Sequence, residues 1–426
     1  MKFFMLSKCG EGAGLLKRIQ DEGNDCSIFI KEKEYSSIYD GILKKSTSPD
    51  NGAVIIVDSS GMGKESDKYK KQGFSVFGGS VFSDDLEQDR DFGFEYMKTH
   101  DIQTPETKEF FDFSTGLEYV KSKKDKKLVF KPSGDNIPCK LTYCAEDSGD
   151  MCSYMDYVER YFGKDIKSFV LQDFIEGALI STEFWVGKNG LIEPANHTVE
   201  VKKFLNDDLG PSTGCQGNLV WVVKKDDIVV KHLRELNESL ISNNFVGCID
   251  LNAIVNEDGI FGLEWTPRFG LDAMPTLLQL MKDDVGKLIY EACEGTVQEM
   301  NGLVEEFAGG VRLSIPPYPA EPESPEKLDK QVPSKGIPIR YNEQFENNFY
   351  FYEVSKNDDE LIHAAGTGVI AVVSDYSDNL DNVFVLPYHI LEETKLQDKQ
   401  YRTDIKEVLT EMYSDSEEIL NVTIRS

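Results

Sequence analysis

The sequence predicts a mixed α/β and α+β architecture, with an N-terminal doubly wound parallel sheet, a central α+β region and a small C-terminal α+β unit. Three observations predict it. Short apolar runs alternate with helix-compatible stretches in the first hundred residues, this alternation ends near Pro105, and a proline-rich segment at 316–325 precedes the last hundred residues. The 426 residues suffice for three domains, which we place at 1–104, 105–308 and 309–426.

The N-terminal region is predicted to be a small doubly wound domain. Its apolar runs predict strands at residues 3–6, 26–30, 53–57 and 74–78, and the polar stretches between them predict helices near 12–22 and 35–45. The run at 53–57 is continuously apolar, as expected for a parallel strand that is covered on both faces.

The rest of the chain alternates less regularly. Apolar segments of the central region predict strands at residues 128–130, 141–143, 169–171 and 180–186. Helices are predicted where apolar residues recur at helical spacing, from Met151 to Phe162 and over 226–243. Strands at 247–255 and 260–265 flank Asp258-Gly259, a typical hairpin turn. The C-terminal region is predicted to contain strands at 349–354 and 367–373 and a helix near 404–412.

Composition excludes several classes of protein. The chain has 46 Lys and Arg against 75 Asp and Glu, a net charge of −29 that disfavours tight binding to nucleic acids or anionic membranes. No apolar run approaches the ~18 residues of a membrane span. Eight scattered cysteines without a C-x-x-C motif indicate reduced thiols of a cytoplasmic protein, and five histidines make a zinc site unexpected.

Two segments could hold phosphate groups. Gly10 to Gly14 follow the first strand, where backbone N–H groups at the start of a helix bind anions, although a plain tight turn explains these glycines equally well. Lys131 ends one predicted strand and Lys140 begins the next. The two cations could grip a polyphosphate across the loop between them, or they could be solvated lysines.

Three further segments carry candidate site residues. The strand edge at 172–177 and the carboxylate of Glu183 suit adenine and ribose, or they are an ordinary edge strand and turn. Asn252 and Glu264 can lie side by side on the hairpin as hard oxygen ligands for Mg²⁺. Arg268 could then neutralise a transferring phosphoryl group, or form a structural ion pair with Glu264. The glycine-rich segment 210–217 predicts an anion-binding nest or a long surface loop.

In this order and at these distances, the segments resemble the ATP-grasp superfamily, and within it the phosphoribosylamine–glycine ligase family. Gly210-Pro211-Ser212-Thr213-Gly214-Cys215-Gln216-Gly217 is similar to that family's GPNTGGMG loop and is the most specific match. Residues 128–134 resemble its lysine strand, 174–177 its adenine hinge, 264–270 its EFNxRFG motif and 401–405 its R-x-DIG motif.

The resemblance implies an ATP-grasp fold with a pre-ATP-grasp N-terminal domain and a mobile lid at about 118–186. It implies a ligase that phosphorylates a carboxylate with ATP and then displaces the phosphate with an amine. In purine biosynthesis, this reaction joins glycine to 5-phosphoribosylamine and yields glycinamide ribonucleotide. The implied cofactors are ATP and Mg²⁺, with Mn²⁺ as a substitute. The implied partners are small molecules, an amino acid such as glycine and an amine acceptor, and the enzyme would be a cytoplasmic monomer or homodimer.

The matched motifs imply the roles of individual residues. Lys131 and Arg268 would be catalytic. The residues implied to hold ATP are Arg90, Lys131, Lys140, Gln172, Phe174, Ile175 and Glu183. Those implied to face the carboxylate substrate and the acyl phosphate are Gly210, Ser212, Thr213, Gly214, Arg268 and Gly270. The implied metal ligands are Asn252, Glu264 and Thr266.

The chain departs from the family pattern at the acceptor end. The Arg, Glu and His of the family's GxGGREHA turn are absent, and Glu11 brings an acid into that turn. Asp58 begins the segment that matches the family's GPEAPL, and Thr266 stands where the metal motif has Asn. Two alternatives therefore stay open: a ligase that joins an amino acid to a different amine, and a non-catalytic nucleotide-binding relative.

Overall fold

The computed structural model describes residues 1–124, 126–133, 141–223, 225–304, 306–320 and 333–425. Three sheets organise these residues: a five-stranded parallel sheet, a four-stranded antiparallel sheet and an eight-stranded antiparallel sheet, accompanied by a two-stranded hairpin. Among the described helices, none is both long and apolar enough to cross a membrane. The mixed α/β and α+β class predicted from the sequence is confirmed.

The N-terminal sheet is parallel throughout, in the order β3-β2-β1-β4-β5. Its strands are β1 (Lys2–Ser7), β2 (Asp25–Ile30), β3 (Lys44–Lys45), β4 (Val54–Val57) and β5 (Val76–Phe77). The helices of this region are α1 (Ala13–Asp21), α2 (Gly63–Lys71), α3 (Val81–Gln88) and α4 (Arg90–Thr99). Successive residues of β1 enter separate hydrophobic clusters, because Phe3 belongs to one and Phe4 to another. Both faces of the sheet are therefore covered, as predicted.

The helix predicted over 35–45 is wrong. This segment contains one 3-10 turn at Lys33–Tyr35 and the short strand β3, and its backbone is left-handed at Tyr39 (φ 60°) and Gly41 (φ 72°). The Tyr39 N–H donates to the Val354 carbonyl oxygen (2.6 Å), and the Tyr39 hydroxyl donates to the Phe351 carbonyl oxygen (2.7 Å). Contacts with a distant part of the chain thus override the local helical preference.

The four-stranded sheet has the order β6-β9-β7-β8. Its elements are β6 (Thr107–Phe110), α5 (Phe113–Ser122), β7 (Leu128–Ser133), β8 (Tyr143–Cys144), α6 (Ser148–Phe162) and β9 (Ser168–Asp173). The two helices pack on the sheet through a cluster that includes Phe110, Phe130 and Phe169. This unit contains much of the segment implied to be a lid. Lys140 lies outside the described residues.

The eight-stranded sheet has the order β14-β13-β10-β11-β12-β15-β19-β16. Its strands are β10 (Ala178–Gly187), β11 (Gly190–Lys203), β12 (Ser212–Val222), β13 (Gly247–Asn256), β14 (Gly259–Thr266), β15 (Phe307–Ser314), β16 (Phe349–Phe351) and β19 (Val369–Ser377), while β17 (Val354–Asn357) pairs with β18 (Glu360–His363). The sheet runs through residue 308 without a break, because β15 hydrogen-bonds β12 on one side and β19 on the other. The domain limits drawn from the sequence stay predictions.

Helices cover both faces of this sheet. They are α7 (Ile228–Arg234), α8 (Asn237–Ser242), α9 (Ala273–Leu280), α10 (Val285–Glu294), α11 (Val385–Glu393) and α12 (Ile405–Arg425). Helix α12 contacts β10 to β13, and α9 contacts β12, β15 and β19. Predicted as one helix, 226–243 forms two, α7 and α8. The long strands β11 and β12 were not predicted.

Candidate active site

Three predicted site residues from distant parts of the sequence line one cavity of about 380 Å³. Arg90 comes from the start of α4, Lys131 from β7 and Glu264 from β14. Glu87 and Trp265 also line this cavity. The cleft therefore lies where α3 and α4, the four-stranded sheet and the edge of the eight-stranded sheet meet.

The cavity presents cations beside a carboxylate. Burial lowers the pKa of Lys131, the positive charge of Arg90 lowers it further, and the negative charge of Glu264 opposes both effects. A lysine that has lost part of its hydration gains more from an anion than a solvated lysine does. Two neighbouring cations in a concave site therefore fit the phosphates of a nucleotide.

The predicted metal ligands form one patch on the hairpin. Asn252 pairs with Glu264 across β13 and β14, and Thr266 pairs with Asp250. The Asn252 amide nitrogen donates to Asp250 Oδ1 (2.9 Å) and contacts Thr266 Oγ1 (3.4 Å), while the side chain of Glu264 is exposed to the cleft. One exposed carboxylate with neighbouring amide and hydroxyl oxygens fits Mg²⁺, which keeps waters and phosphate oxygens in its shell. The described residues contain no group of three or more acidic, His or Cys side chains that could hold a metal without such help.

Arg268 forms an ion pair with Glu87, not with Glu264. Its Nε (3.1 Å) and a terminal nitrogen (2.8 Å) both donate to Glu87 Oε1, and its other terminal nitrogen donates to the Phe269 carbonyl oxygen (3.1 Å). Three hydrogen bonds fix the plane of the guanidinium beside the cavity that Glu87 lines. Nothing in the sequence around Glu87 signals this role, since it is one of several acids on α3.

A polar strip continues from the hairpin across the same face of the eight-stranded sheet. Its residues were not singled out from the sequence: Ser181, Thr198, Glu200, Lys202, Asn218 and Asp250. Burial raises the pKa of Asp250 to about 7, helped by the charges of Glu200 and Glu264 and opposed by the Ser181 hydroxyl. Lys202 lies 3.6 Å from Glu200. The alternation of β11 could have revealed this strip if the strand had been recognised.

The predicted adenine segment lies beside the four-stranded sheet. Phe174 is exposed, Lys127 Nζ lies 5.7 Å from its ring centroid, and Ile175 is partly buried. The side chain of Gln172 is buried and donates to Thr107 Oγ1 (3.1 Å). Gln172 therefore supports the segment from beneath, and its contact with the nucleotide stays a prediction.

The structure does not bring Glu183 to this hinge. Glu183 lies six residues beyond Gly177 on β10, which corresponds to about 20 Å of strand. It pairs instead with Asp250 and Asn196 in the centre of the sheet. Burial raises the pKa of Glu183 to about 8, as does the charge of Asp250, while the Gly270 backbone lowers it. Sequence spacing alone did not reveal that the strand carries this carboxylate away from the hinge.

The segment predicted as a loop or nest at 210–217 is mostly strand. Only Gly210 and Pro211 precede β12, which begins at Ser212. The Thr213 hydroxyl donates to the Lys202 carbonyl oxygen (2.8 Å), and a Cβ atom added to Gly214 would lie 3.9 Å from Asp272 Oδ2. Arg402, from the R-x-D match, donates to Asp404 and to Asp208 (2.7 Å) and so fastens the turn before Gly210.

Comparisons with known proteins agree with this geometry. The family model of the ATP-grasp (A) domain of phosphoribosylglycinamide synthetase matches residues 88–272. A phosphoribosylamine–glycine ligase from Lactococcus lactis subsp. lactis (strain IL1403) is 22% identical over 433 residues, covering 95% of this chain and 99% of that protein.

Solved structures show the same fold. The crystal structure of phosphoribosylamine–glycine ligase from Thermotoga maritima has a TM-score of 0.70 at 16% identity and covers 95% of this chain and 100% of that one. The biotin carboxylase domain of Hydrogenobacter thermophilus 2-oxoglutarate carboxylase, crystallised with MgADP, has a TM-score of 0.60 at 12% identity and covers 96% of this chain and 93% of that one.

The family match identifies residues 88–272 as similar to the ATP-grasp (A) domain of phosphoribosylglycinamide synthetase, and the chain shares the fold of the phosphoribosylamine–glycine ligase from Thermotoga maritima. The sequence of this chain is similar to a phosphoribosylamine–glycine ligase over almost its whole length.

Proposed function

We propose that this chain is an ATP-dependent ligase that joins the carboxylate of a small amino acid such as glycine to an amine, through an acyl phosphate. The observation that carries the proposal is the convergence of Arg90, Lys131 and Glu264 on one cavity, with Asn252 beside Glu264. The relatives' printed name describes such a reaction, with glycine as the acid and phosphoribosylamine as the amine.

In this proposal, bound ATP supplies the phosphoryl group that activates the carboxylate. Lys131 and Arg90 hold its phosphates, and Glu264 with Asn252 and Thr266 holds Mg²⁺ or Mn²⁺ against them. Arg268, fixed in orientation by Glu87, neutralises charge on the acyl phosphate. Positioning and charge neutralisation account for most of the catalysis that phosphoryl transfer needs.

The remaining predicted contacts complete the site. Phe174 and Ile175 border the adenine, and Gly210, Ser212, Thr213, Gly214 and Gly270 border the carboxylate substrate. The substrates are small molecules, and we propose that the enzyme works in the cytoplasm as a monomer or homodimer without nucleic acid.

The test is ADP release with Mg·ATP, a panel of amino acids and hydroxylamine, which converts an acyl phosphate into a hydroxamate. Amino-acid-dependent ADP and hydroxamate that disappear in Lys131→Ala and Glu264→Ala support the proposal. Lys108→Ala and Glu65→Ala are matched controls, because both side chains lie outside the cavity. ATP binding without turnover for any acid would refute the ligase and leave a nucleotide-binding protein.

A further inference from the structure

The turn after β1, where a helix N-terminus could hold an anion, is occupied by a side chain of the protein. The carboxylate of Asp58, at the end of β4, accepts hydrogen bonds from the Gly12 N–H (2.7 Å), the Ser7 hydroxyl (2.7 Å) and the Ser59 hydroxyl (2.6 Å). Asp58 is 1% exposed. The position that a phosphate would need is therefore filled from within.

The side chain of Tyr350 occupies a further backbone N–H group in the first turn of α1. The Tyr350 hydroxyl accepts a hydrogen bond from the Leu15 N–H (3.0 Å) and donates to the Glu11 carbonyl oxygen (3.3 Å). A Cβ atom added to Gly14 would lie 2.7 Å from the Tyr350 ring. The ring thus packs directly on the turn and leaves no room for a phosphate group there.

The carboxylate of Glu11 lies in this turn and has no hydrogen-bond or ion-pair partner in the described part of the chain. The charged groups that face it are Asp58, which repels it, and Arg268, Arg312 and Lys8, which attract it. Burial, with the charge of Asp58, raises its pKa to about 7. Glu353, which immediately precedes β17, has partners by contrast. It accepts hydrogen bonds from the backbone and hydroxyl of Thr367 and lies 3.2 Å from His363 Nε2.

An unpartnered donor accompanies this unpartnered carboxylate. Arg312, on β15, is 7% exposed and forms a buried ion pair with Asp272, yet its Nε–H has no acceptor among the described residues. The Arg312 guanidinium carbon lies 5.4 Å from the ring centroid of Tyr352, and the ring of Tyr352 lies 5.1 Å from that of Tyr350, whose hydroxyl contacts the Glu11 backbone. Arg312 therefore lies in the neighbourhood of Glu11, and its charge acts on that carboxylate. A buried N–H without an acceptor is costly, so this donor is available to an oxygen atom that enters the site.

We infer that the acceptor end of the cleft takes a phosphate-free amine that carries a positive charge, with Glu11 as the specificity-determining carboxylate. The inference rests on the proposed ligase function and names its second substrate class. The ammonium of the acceptor pairs with Glu11 and gives one proton to its carboxylate. The neutral amine then forms the amide bond by displacing phosphate from the acyl phosphate, while an oxygen of the acceptor meets Arg312 Nε. Phosphoribosylamine, which bears a phosphate, is excluded by Asp58 and Tyr350.

The experiment supplies the enzyme with Mg·ATP, glycine and two acceptors at equal concentration. Glycinamide represents a phosphate-free cationic amine with a carbonyl oxygen, and phosphoribosylamine is generated in place from ribose 5-phosphate and ammonia. Mass spectrometry identifies the amide that forms. Hydroxamate formation with hydroxylamine, measured in parallel, reports the ligase chemistry independently of either acceptor.

A pair of variants tests the role of Glu11. In Glu11→Gln, loss of a charge-assisted hydrogen bond should raise the KM for glycinamide at least ~10-fold without changing the KM for ATP. Glu65→Gln is the matched control, because it removes the same charge from α2, where Glu65 forms an ion pair with Lys31. It should leave the KM for glycinamide and the KM for ATP unchanged. Thermal unfolding verifies that both variants fold.

The outcomes separate the inference from the proposed function. Glycinamide as the preferred acceptor, with a Glu11-dependent KM, supports the inference. Preference for phosphoribosylamine, use of neither acceptor, or an unchanged KM in Glu11→Gln overturns it while hydroxamate formation still supports the ligase. If no hydroxamate forms, the proposed function fails. Thermal unfolding with glycinamide or with ribose 5-phosphate then tests the inference separately. Stabilisation by glycinamide alone supports the inference, and any other result overturns it.

Discussion

Replacement of Lys131 by Met is the sharpest test of the ATP site. The substitution preserves most of the apolar stem and removes the ammonium that shares the cavity with Arg90 and Glu264. A hydrogen bond to a charged group contributes about 1.5–3 kcal/mol, which corresponds to about a 10- to 150-fold loss in kcat/KM for ATP. Because burial already lowers the pKa of Lys131, its ammonium is poorly hydrated, and the larger loss is expected.

The assay is amino-acid-dependent ADP release over a range of ATP concentrations, with thermal unfolding of each variant. Lys131→Met should unfold no earlier than the wild type, since it removes a partly buried charge. Lys131→Arg keeps the charge and should retain more activity than Lys131→Met. Lys108→Met, on β6 of the same four-stranded sheet, is the matched control. A kcat/KM for Lys131→Met within twofold of the wild type would refute the assignment of this cavity to the phosphates.

Three further outcomes test other parts of the structure. Glu87→Gln weakens the pair that orients Arg268, so kcat should fall about tenfold with little change in the KM for ATP, and an unchanged kcat would contradict this role. Burial raises the pKa of Glu353 from 4.5 to about 7, so the folded protein holds a proton that the unfolded chain has lost. The free energy of unfolding should therefore fall as the pH rises through this interval, and urea unfolding at pH 5.5 and 8 should show a weaker dependence in Glu353→Gln. Arg312→Met leaves Asp272 buried without its partner and should lower the free energy of unfolding by about 3–5 kcal/mol, which Arg312→Met with Asp272→Asn should largely restore in a double-mutant cycle.

The elements that a short apolar run or a turn dipeptide specifies were predicted correctly. The continuously apolar run at 53–57 became β4 inside a covered parallel sheet, and Asp258-Gly259 became the turn between β13 and β14. That turn sets the register as far as the pair Ala253 and Gly262. Counting further would place Asn252 opposite Leu263, and a β-bulge between Asn252 and Ala253 shifts the pairing by one residue to Glu264. The long strands β11 and β12 were missed because their buried polar residues hide the apolar alternation.

The candidate site was predicted in part for a similar reason. Lys131 and Glu264 stand out because charges at the ends of apolar strands are unusual, and the structure brings both to one cavity. Glu183 stands out in the same way, yet the direction of β10 places it beside Asp250 rather than at the hinge. Its distance from the hinge depends on the path of the strand.

By itself, the sequence determined the parallel first sheet and the hairpin turn at Asp258-Gly259, because each depends on residues that are close together in the chain. Only the tertiary structure decided that Arg268 pairs with Glu87, 181 residues away, and that Asp58 fills the turn of Gly12, 46 residues away. Contacts over such separations depend on how whole sheets pack, and no local periodicity encodes them.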